Sequence, residues 1–73
     1  MTKSELFNKY LIAPEATHTS TETIIHHDKY HLVDLDTLNV IIIGTELNCL
    51  EKLLSIAPSS IFLKKIIKNL KTH

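Results

Sequence analysis

The chain has 73 residues, with eight lysines, no arginine, eight acidic residues and a formal net charge of zero. This length allows one domain at most, and a domain of this size buries only about 60% of its unfolded surface, which favours a partner or self-association. Because arginine is the preferred residue for bidentate contacts to bases and phosphates, its absence argues against sequence-specific DNA binding.

The first predicted element is a short amphipathic helix over residues 4–12. Ser4 is a suitable N-cap for it. The apolar residues that follow fall at helical spacing, and they are Leu6, Phe7, Tyr10 and Leu11. Pro14 ends the pattern because proline disrupts the interior of a helix.

Residues 14–33 are predicted to form a loop with one short element of uncertain type. The first half is rich in threonine and serine and lacks apolar periodicity. The second half fits either a short helix or two strands over residues 23–27 and 30–35. β-branched residues favour the strands, whereas Asp28-Lys29 is a poor two-residue hairpin turn. Both alternatives remain open.

The strongest pattern in the sequence predicts a long helix over residues 36–56. Side chains suited to one side of an amphipathic helix recur there at steps of three and four; they are Leu35, Leu38, Ile42, Thr45, Cys49, Leu53 and Ile56. Asp34 or Asp36 could cap its N-terminus. The β-branched run 40–43 before Gly44 is typical of a buried strand and turn, but we prefer the helix because the spacing continues past Gly44.

A last amphipathic helix is predicted over residues 59–71, capped by Ser59 or Ser60. One side of it is apolar and is formed by Phe62, Leu63, Ile66, Ile67 and Leu70. The other side carries Lys64, Lys65, Lys68 and Lys71. We expect the apolar side to pack on the preceding helix, and the lysines to face solvent or an acidic partner.

Together these elements predict an all-α protein, a small three- to four-helix bundle formed by residues 1–73 as a single domain. The alternative is an α+β fold with strands near residues 23–27, 30–35 and 38–43 and two C-terminal helices. No apolar run approaches the roughly 20 residues that a membrane span requires, so no membrane span is expected.

Few residues in the chain are candidates for a metal-binding or catalytic role. His26, His27 and His31 form a cluster, and the i, i+4 spacing of His27 and His31 can place two imidazoles on one metal. No third ligand follows at a recognisable distance, so no metal site is predicted. Cys49 lies on the apolar side of the predicted helix, where a cysteine packs as a small hydrophobe. A single cysteine cannot form an internal disulfide, so we expect a reducing, cytoplasmic location.

Residues 33–38, Val-Asp-Leu-Asp-Thr-Leu, resemble the Leu-Gly-Leu-Asp-Ser-Leu signature of acyl and peptidyl carrier proteins. Thr37 stands where that family carries its modified serine, about halfway along a chain of similar length. The resemblance implies an all-helical fold and a following helix that docks on partner enzymes through acidic residues. It also implies a phosphopantetheine arm at Thr37, provided that threonine is accepted at this position.

A weaker resemblance is to the Hha/YmoA family of small nucleoid-associated regulators. The matching segments are residues 1–4, 22–32 and 58–62, which follow the family's order. This resemblance implies an all-helical adaptor that binds a larger DNA-silencing protein and has little DNA affinity of its own.

The sequence therefore predicts a small non-enzymatic helical interaction module, carrier-protein-like and without a functional prosthetic arm if Thr37 is not modified. The alternative function is an Hha/YmoA-like adaptor that modulates a nucleoid or transcription regulator by protein–protein contact. No cofactor other than phosphopantetheine is expected. The residues predicted to contact a protein partner are Asp34, Asp36, Glu46, Lys64, Lys65 and Lys68. A homo-oligomer would use exposed parts of the helix over residues 36–56, around Leu50 and Leu53.

Overall fold

The computed structural model describes residues 2–72 and has an α+β fold. Its elements are α1 (Lys3–Lys9), β1 (Tyr10–His18), β2 (Thr23–Asp34), β3 (Asn39–Gly44), α2 (Glu46–Ile56) and α3 (Ile61–Lys71). The strands form one antiparallel sheet in the order β1-β2-β3, with α2 packed against the sheet and α3 against α2. The predicted all-α bundle is therefore wrong, and the α+β alternative gives only the observed class. Its two strands near residues 23–27 and 30–35 are one continuous strand, β2, and it did not include β1.

The pairing register defines two faces of the sheet, because successive side chains of a strand alternate between them. One cross-strand row consists of Ile12, Leu32 and Ile42. These three side chains belong to the hydrophobic core or pack against it. In β3, Ile41 has no register partner, and this bulge allows Ile41 and Ile42 to contact the core together.

The core lies between the sheet and the helices. Its buried apolar residues are Leu6, Leu32, Cys49, Leu50, Leu53, Ala57, Leu63 and Ile67. Because only Leu32 comes from the sheet, the helices supply most of the buried side chains. Leu50 and Leu53 are core residues, so neither is available for the self-association surface that the sequence indicated.

The helix predicted over residues 36–56 is two different elements, β3 and α2. The β-branched side chains of residues 40–43 suit a pleated sheet, and the chain leaves β3 at Gly44. Thr45 is extended, and its hydroxyl accepts a hydrogen bond from the Asn48 N–H at 3.1 Å, so it is the N-cap of α2. The spacing of three and four residues that continues across Gly44 therefore combines the pattern of a strand, β3, with the separate pattern of a helix, α2.

The N-terminal half of the chain also differs from the prediction. Helix α1 ends at Lys9 rather than near residue 12, because Tyr10 is already extended. Residues 14–33, predicted to be mainly loop, form most of a long β1–β2 hairpin. Pro14 is accommodated because β1 is an edge strand and its register shifts at this point.

The C-terminal helix predicted over residues 59–71 is observed as α3. Its N-cap is Ser60, whose buried hydroxyl accepts a hydrogen bond from the Leu63 N–H at 3.2 Å. The apolar side of α3 packs against the core and the lysines are exposed, as the sequence predicts.

Candidate functional site

The face of the sheet that turns away from the helices is apolar and uncovered. It consists of two adjacent cross-strand rows. The first row is formed by Leu11, Val33 and Val40, and the second by Ala13, His31 and Ile43. Leu11 is 47% exposed, Val40 49% and Ile43 58%. None of the five apolar side chains in these rows packs against the core. We call these six residues the open face.

The open face arises because two strands carry apolar side chains on both sides. In β2, Leu32 points to the helices and Val33 points away; in β3, Ile42 and Ile43 are divided in the same way. An antiparallel sheet with one face in water usually alternates apolar and polar residues. The open face is therefore not explained by the core of this chain, and contiguous exposed apolar surface is typical of an interaction site.

The open face carries no lysine, aspartate or glutamate, and His31 is its one titratable group. Among residues 2–72 a single ion pair is formed, between Lys29 Nζ and a carboxylate oxygen of Glu15 at 3.9 Å. These residues lie two positions from His31 and Ala13, so the pair borders the open face and is not one of its six residues. An apolar partner could therefore cover this surface without desolvating a full charge. The arrangement suits binding rather than chemistry.

Beyond Pro14 and Tyr30, the β1–β2 hairpin continues as an arm that the helices do not cover. Ile24 and Ile25 point to opposite faces of this arm, yet both are exposed. Side-chain hydrogen bonds connect the two strands here. The bonded pairs are Thr17 Oγ1 with His26 Nε2 at 2.8 Å, and His18 Nδ1 with Thr23 Oγ1 at 3.2 Å.

The three clustered histidines of the sequence all lie on β2. His26 contacts Thr17, His27 lies where the β1–β2 register shifts, and His31 belongs to the open face. In an extended strand, residues four apart do not meet as they do on one turn of a helix, so the spacing argument for His27 and His31 does not apply. Within residues 2–72, no three His, Cys, Asp or Glu side chains are arranged to hold a metal ion.

Thr37 lies in the turn between β2 and β3, not at a helix N-terminus as predicted. Oδ1 of Asp34 accepts hydrogen bonds from the Asp36 N–H at 2.9 Å and the Thr37 N–H at 3.3 Å. The Thr37 hydroxyl accepts one from the Asn39 N–H at 3.4 Å. The prediction of a helix start at this point is wrong because an aspartate that is suitable as a helix cap can equally close a turn.

A partly open cavity of about 220 Å³ lies on the helical side of the sheet. Its lining residues are Phe7, Ile12, Glu46, Leu50 and Ile66. Small-molecule sites usually enclose roughly 300–1,000 Å³, so this cavity is small. On β2, desolvation raises the pKa of the Tyr30 phenol above its ordinary value, and the neighbouring Glu46 carboxylate raises it further.

The thiol of Cys49 is buried and donates a hydrogen bond to the carbonyl oxygen of Tyr30, with an Sγ···O distance of 3.4 Å. Burial raises the pKa of this thiol, and the Glu46 carboxylate adds to the increase, while a backbone hydrogen bond at Gly44 opposes it. A buried thiol with a raised pKa is a poor nucleophile at neutral pH. Cys49 therefore acts as a packing residue.

The residues predicted to contact a partner do not form one surface. Asp34 and Asp36 lie at the β2–β3 turn, and Glu46 follows the far end of β3. A six-residue strand separates these positions by about 20 Å. The predicted lysines lie exposed on α3, and they are Lys64, Lys65 and Lys68. Their role in partner binding stays a prediction.

No protein-family model, curated protein or solved structure matches the chain, so neither resemblance is confirmed. Both the carrier proteins and the Hha/YmoA family imply an all-helical fold, whereas this chain contains a three-stranded sheet. Met1, part of the second resemblance, lies outside the described residues. None of the helices within residues 2–72 is long and apolar enough to cross a lipid bilayer.

The sequence does not predict the open face, because the predicted elements that contain its residues are helices or a loop. The first predicted helix contains Leu11, and the long predicted helix contains Val40 and Ile43. A usable signal was present in the adjacent pair Leu32 and Val33. Two neighbouring apolar residues in a strand indicate that both faces of its sheet are apolar.

Proposed function

We propose that this protein is a small non-enzymatic interaction module that binds a protein partner through the open face of its sheet. The observation that carries the proposal is the exposure of Leu11, Val40 and Ile43 in two adjacent rows. Scattered apolar residues are common on protein surfaces, but a contiguous group of them on one flat face is typical of an interface.

The composition of the open face favours an apolar protein surface over nucleic acid or lipid. Nucleic-acid binding depends on cations that contact phosphates, and anionic lipid headgroups likewise attract basic clusters. The open face contains no lysine, and the chain contains no arginine. The lysines of α3 belong to the helical side of the sheet, away from this surface.

The absence of an enzymatic role is part of the proposal, and the placement of the reactive side chains supports it. Catalysis requires an acid, base or nucleophile to converge around bound substrate. The cavity on the helical side is small and has Glu46 as its one ionisable lining residue. The Cys49 thiol is buried and bonded to the Tyr30 carbonyl. A buried free cysteine also supports the proposed cytoplasmic location.

Protein–protein contact is what the two family resemblances have in common, and we retain only that part. A phosphopantetheine arm on Thr37 is not included, because Thr37 lies in a β-turn and not before a recognition helix. A specific nucleoid partner is not included either, because the fold lacks the all-helical architecture that the resemblance implied.

Photo-crosslinking in cells tests the proposal. A photoreactive amino acid is placed at Ile43 on the open face, or at Lys52, an exposed position of α2 on the helical side, as the control. We expect light-dependent adducts with a small number of defined proteins from position 43 and none of these from position 52. Mass spectrometry of the adducts identifies the partner.

The purified partner then provides a quantitative test. Leu11→Lys places a charge in the open face and should weaken binding by roughly tenfold or more, measured by calorimetry. Lys52→Glu should bind like the wild type. Equal crosslinking from both positions, or full affinity of the Leu11→Lys variant, would show that the open face is not the binding surface.

A further inference from the structure

The two edges of the sheet differ in how well they are protected from pairing with another strand. The β1 edge contains Pro14, which has no N–H to donate, and the charged residue Glu15. Proline, charge and irregularity are the usual means by which proteins prevent edge-to-edge association. The β1 edge has two of these protections, the proline and the charge.

The β3 edge lacks two of these protections. The strand Asn39–Gly44 reads Asn-Val-Ile-Ile-Ile-Gly and contains neither proline nor a charged residue. Its bulge at Ile41 is its one irregularity. Among the described residues, no strand pairs with β3 on the side away from β2. Backbone groups on that side are therefore available to another strand of high β propensity.

We propose that a second copy of this chain pairs antiparallel with β3 and joins the two sheets into one six-stranded sheet. Antiparallel pairing of a strand with its own copy obeys twofold symmetry, so one surface serves both protomers. Because β3 carries no charge, the pairing brings no like charges together. Val40 and Ile43 of the two copies then extend one continuous apolar face across the junction.

Small size adds a reason for self-pairing. A chain of 73 residues forms a small core, and oligomerisation is one of the usual ways in which such domains gain stability. Pairing along β3 leaves the core contacts between sheet and helices unchanged. The contact uses the edge of β3 and not the open face, so the inference can fail while the proposed function stands.

Analytical ultracentrifugation of the full chain with two matched lysine variants tests the inference. Val40→Lys charges the β3 edge, whereas Leu11→Lys charges the β1 edge in the same cross-strand row, since both residues flank Val33. Their exposures are nearly equal, at 49% and 47%. We expect a wild-type dimer, a dissociation constant raised roughly tenfold or more by Val40→Lys, and little change with Leu11→Lys.

Concentration-dependent hydrogen exchange locates the contact. Amide protection in β3 should rise with protein concentration, while that in β1 should not. A monomeric wild type, or equal dissociation of both lysine variants, as expected for two open faces stacked together, would overturn the inference. If Val40→Lys does not fold, as judged by circular dichroism, Ile43→Lys replaces it. A monomeric wild type that is still crosslinked to another protein through position 43 would leave the proposed function intact.

Discussion

The two faces of the sheet are built from the same kinds of residues, yet the chain covers only one of them. Leu32 is fully buried beneath the helices, and its neighbour Val33 lies in the open face between two side chains that are about half exposed. Burial therefore depends on strand register and not on residue type. The comparison separates apolar residues that stabilise the fold from apolar residues that are free to bind.

The largest effect that would test this comparison is a truncation on the covered face. Leu32→Ala removes a fully buried side chain and should destabilise the protein by about 2–5 kcal/mol. Val33→Ala, one residue away on the open face, should cost about 1 kcal/mol or less because its side chain is only partly buried. Urea denaturation followed by circular dichroism measures both.

The order of the two variants should reverse when partner binding is measured instead of stability. Val33→Ala is expected to weaken association more than Leu32→Ala does, provided that the Leu32 variant is measured where it remains folded. Similar losses of stability in the two variants would mean that the open face belongs to the folded core, and the comparison would fail.

The sequence predicts the two C-terminal helices of this fold well because their signals are local. Ser60 caps α3, and the three-four spacing of its apolar side gives the correct packing surface. The same kind of spacing misleads before Thr45, because a strand that is apolar on both sides can imitate it. Residues 40–43 are β-branched, which favours a strand, but the helical spacing on both sides of Gly44 predicts a helix there.

The open face could not be predicted because it depends on pairings that are distant in sequence. Leu11 and Val33 are register partners across a long hairpin, and Val40 joins them only after the turn at Thr37. Neither Pro14 nor the Asp28-Lys29 pair indicates a hairpin of this length. The local signals fit a loop, and tertiary pairing overrides them.

A smaller effect is expected where α2 begins, since α2 is the helix that covers the sheet. Thr45→Ala removes the hydroxyl that accepts the Asn48 N–H and should cost about 1 kcal/mol of stability. Thr37→Ala is the matched control, because its hydroxyl accepts a longer bond in an exposed turn, and we expect about 0.5 kcal/mol or less. Thermal unfolding of the two variants measures the difference. Equal losses would indicate that Thr45 is not an effective cap.

The turn that sets the β2–β3 register offers a stabilising change. Leu38 has a φ of 62° and is 75% exposed, so its backbone is in the left-handed region and its side chain contributes little burial. Leu38→Gly relieves that conformation but adds freedom to the unfolded chain, and we expect a net gain of about 0.5 kcal/mol. Leu35→Gly, in the same turn without a positive φ, should destabilise. A loss of stability in Leu38→Gly would show that the Leu38 side chain matters to the turn.

The smallest expected effect is a dependence of stability on pH. It originates from Cys49 and Tyr30, on the side of the sheet that the helices cover. Burial raises the pKa of the Cys49 thiol above its ordinary value of 9.0, so the unfolded chain releases this proton first as the pH rises. The corresponding stability is complete below pH 9.0 and is lost as the pH increases through the pKa of the folded state. Tyr30 contributes in the same direction above its ordinary pKa of 10.0. Urea unfolding at a series of pH values should show a smaller alkaline loss of stability in Cys49→Ala than in the wild type, even though the variant is less stable at neutral pH. An unchanged slope would mean that the thiol is not shielded from water, and the covered face would then be less tightly closed than the comparison of the two faces requires.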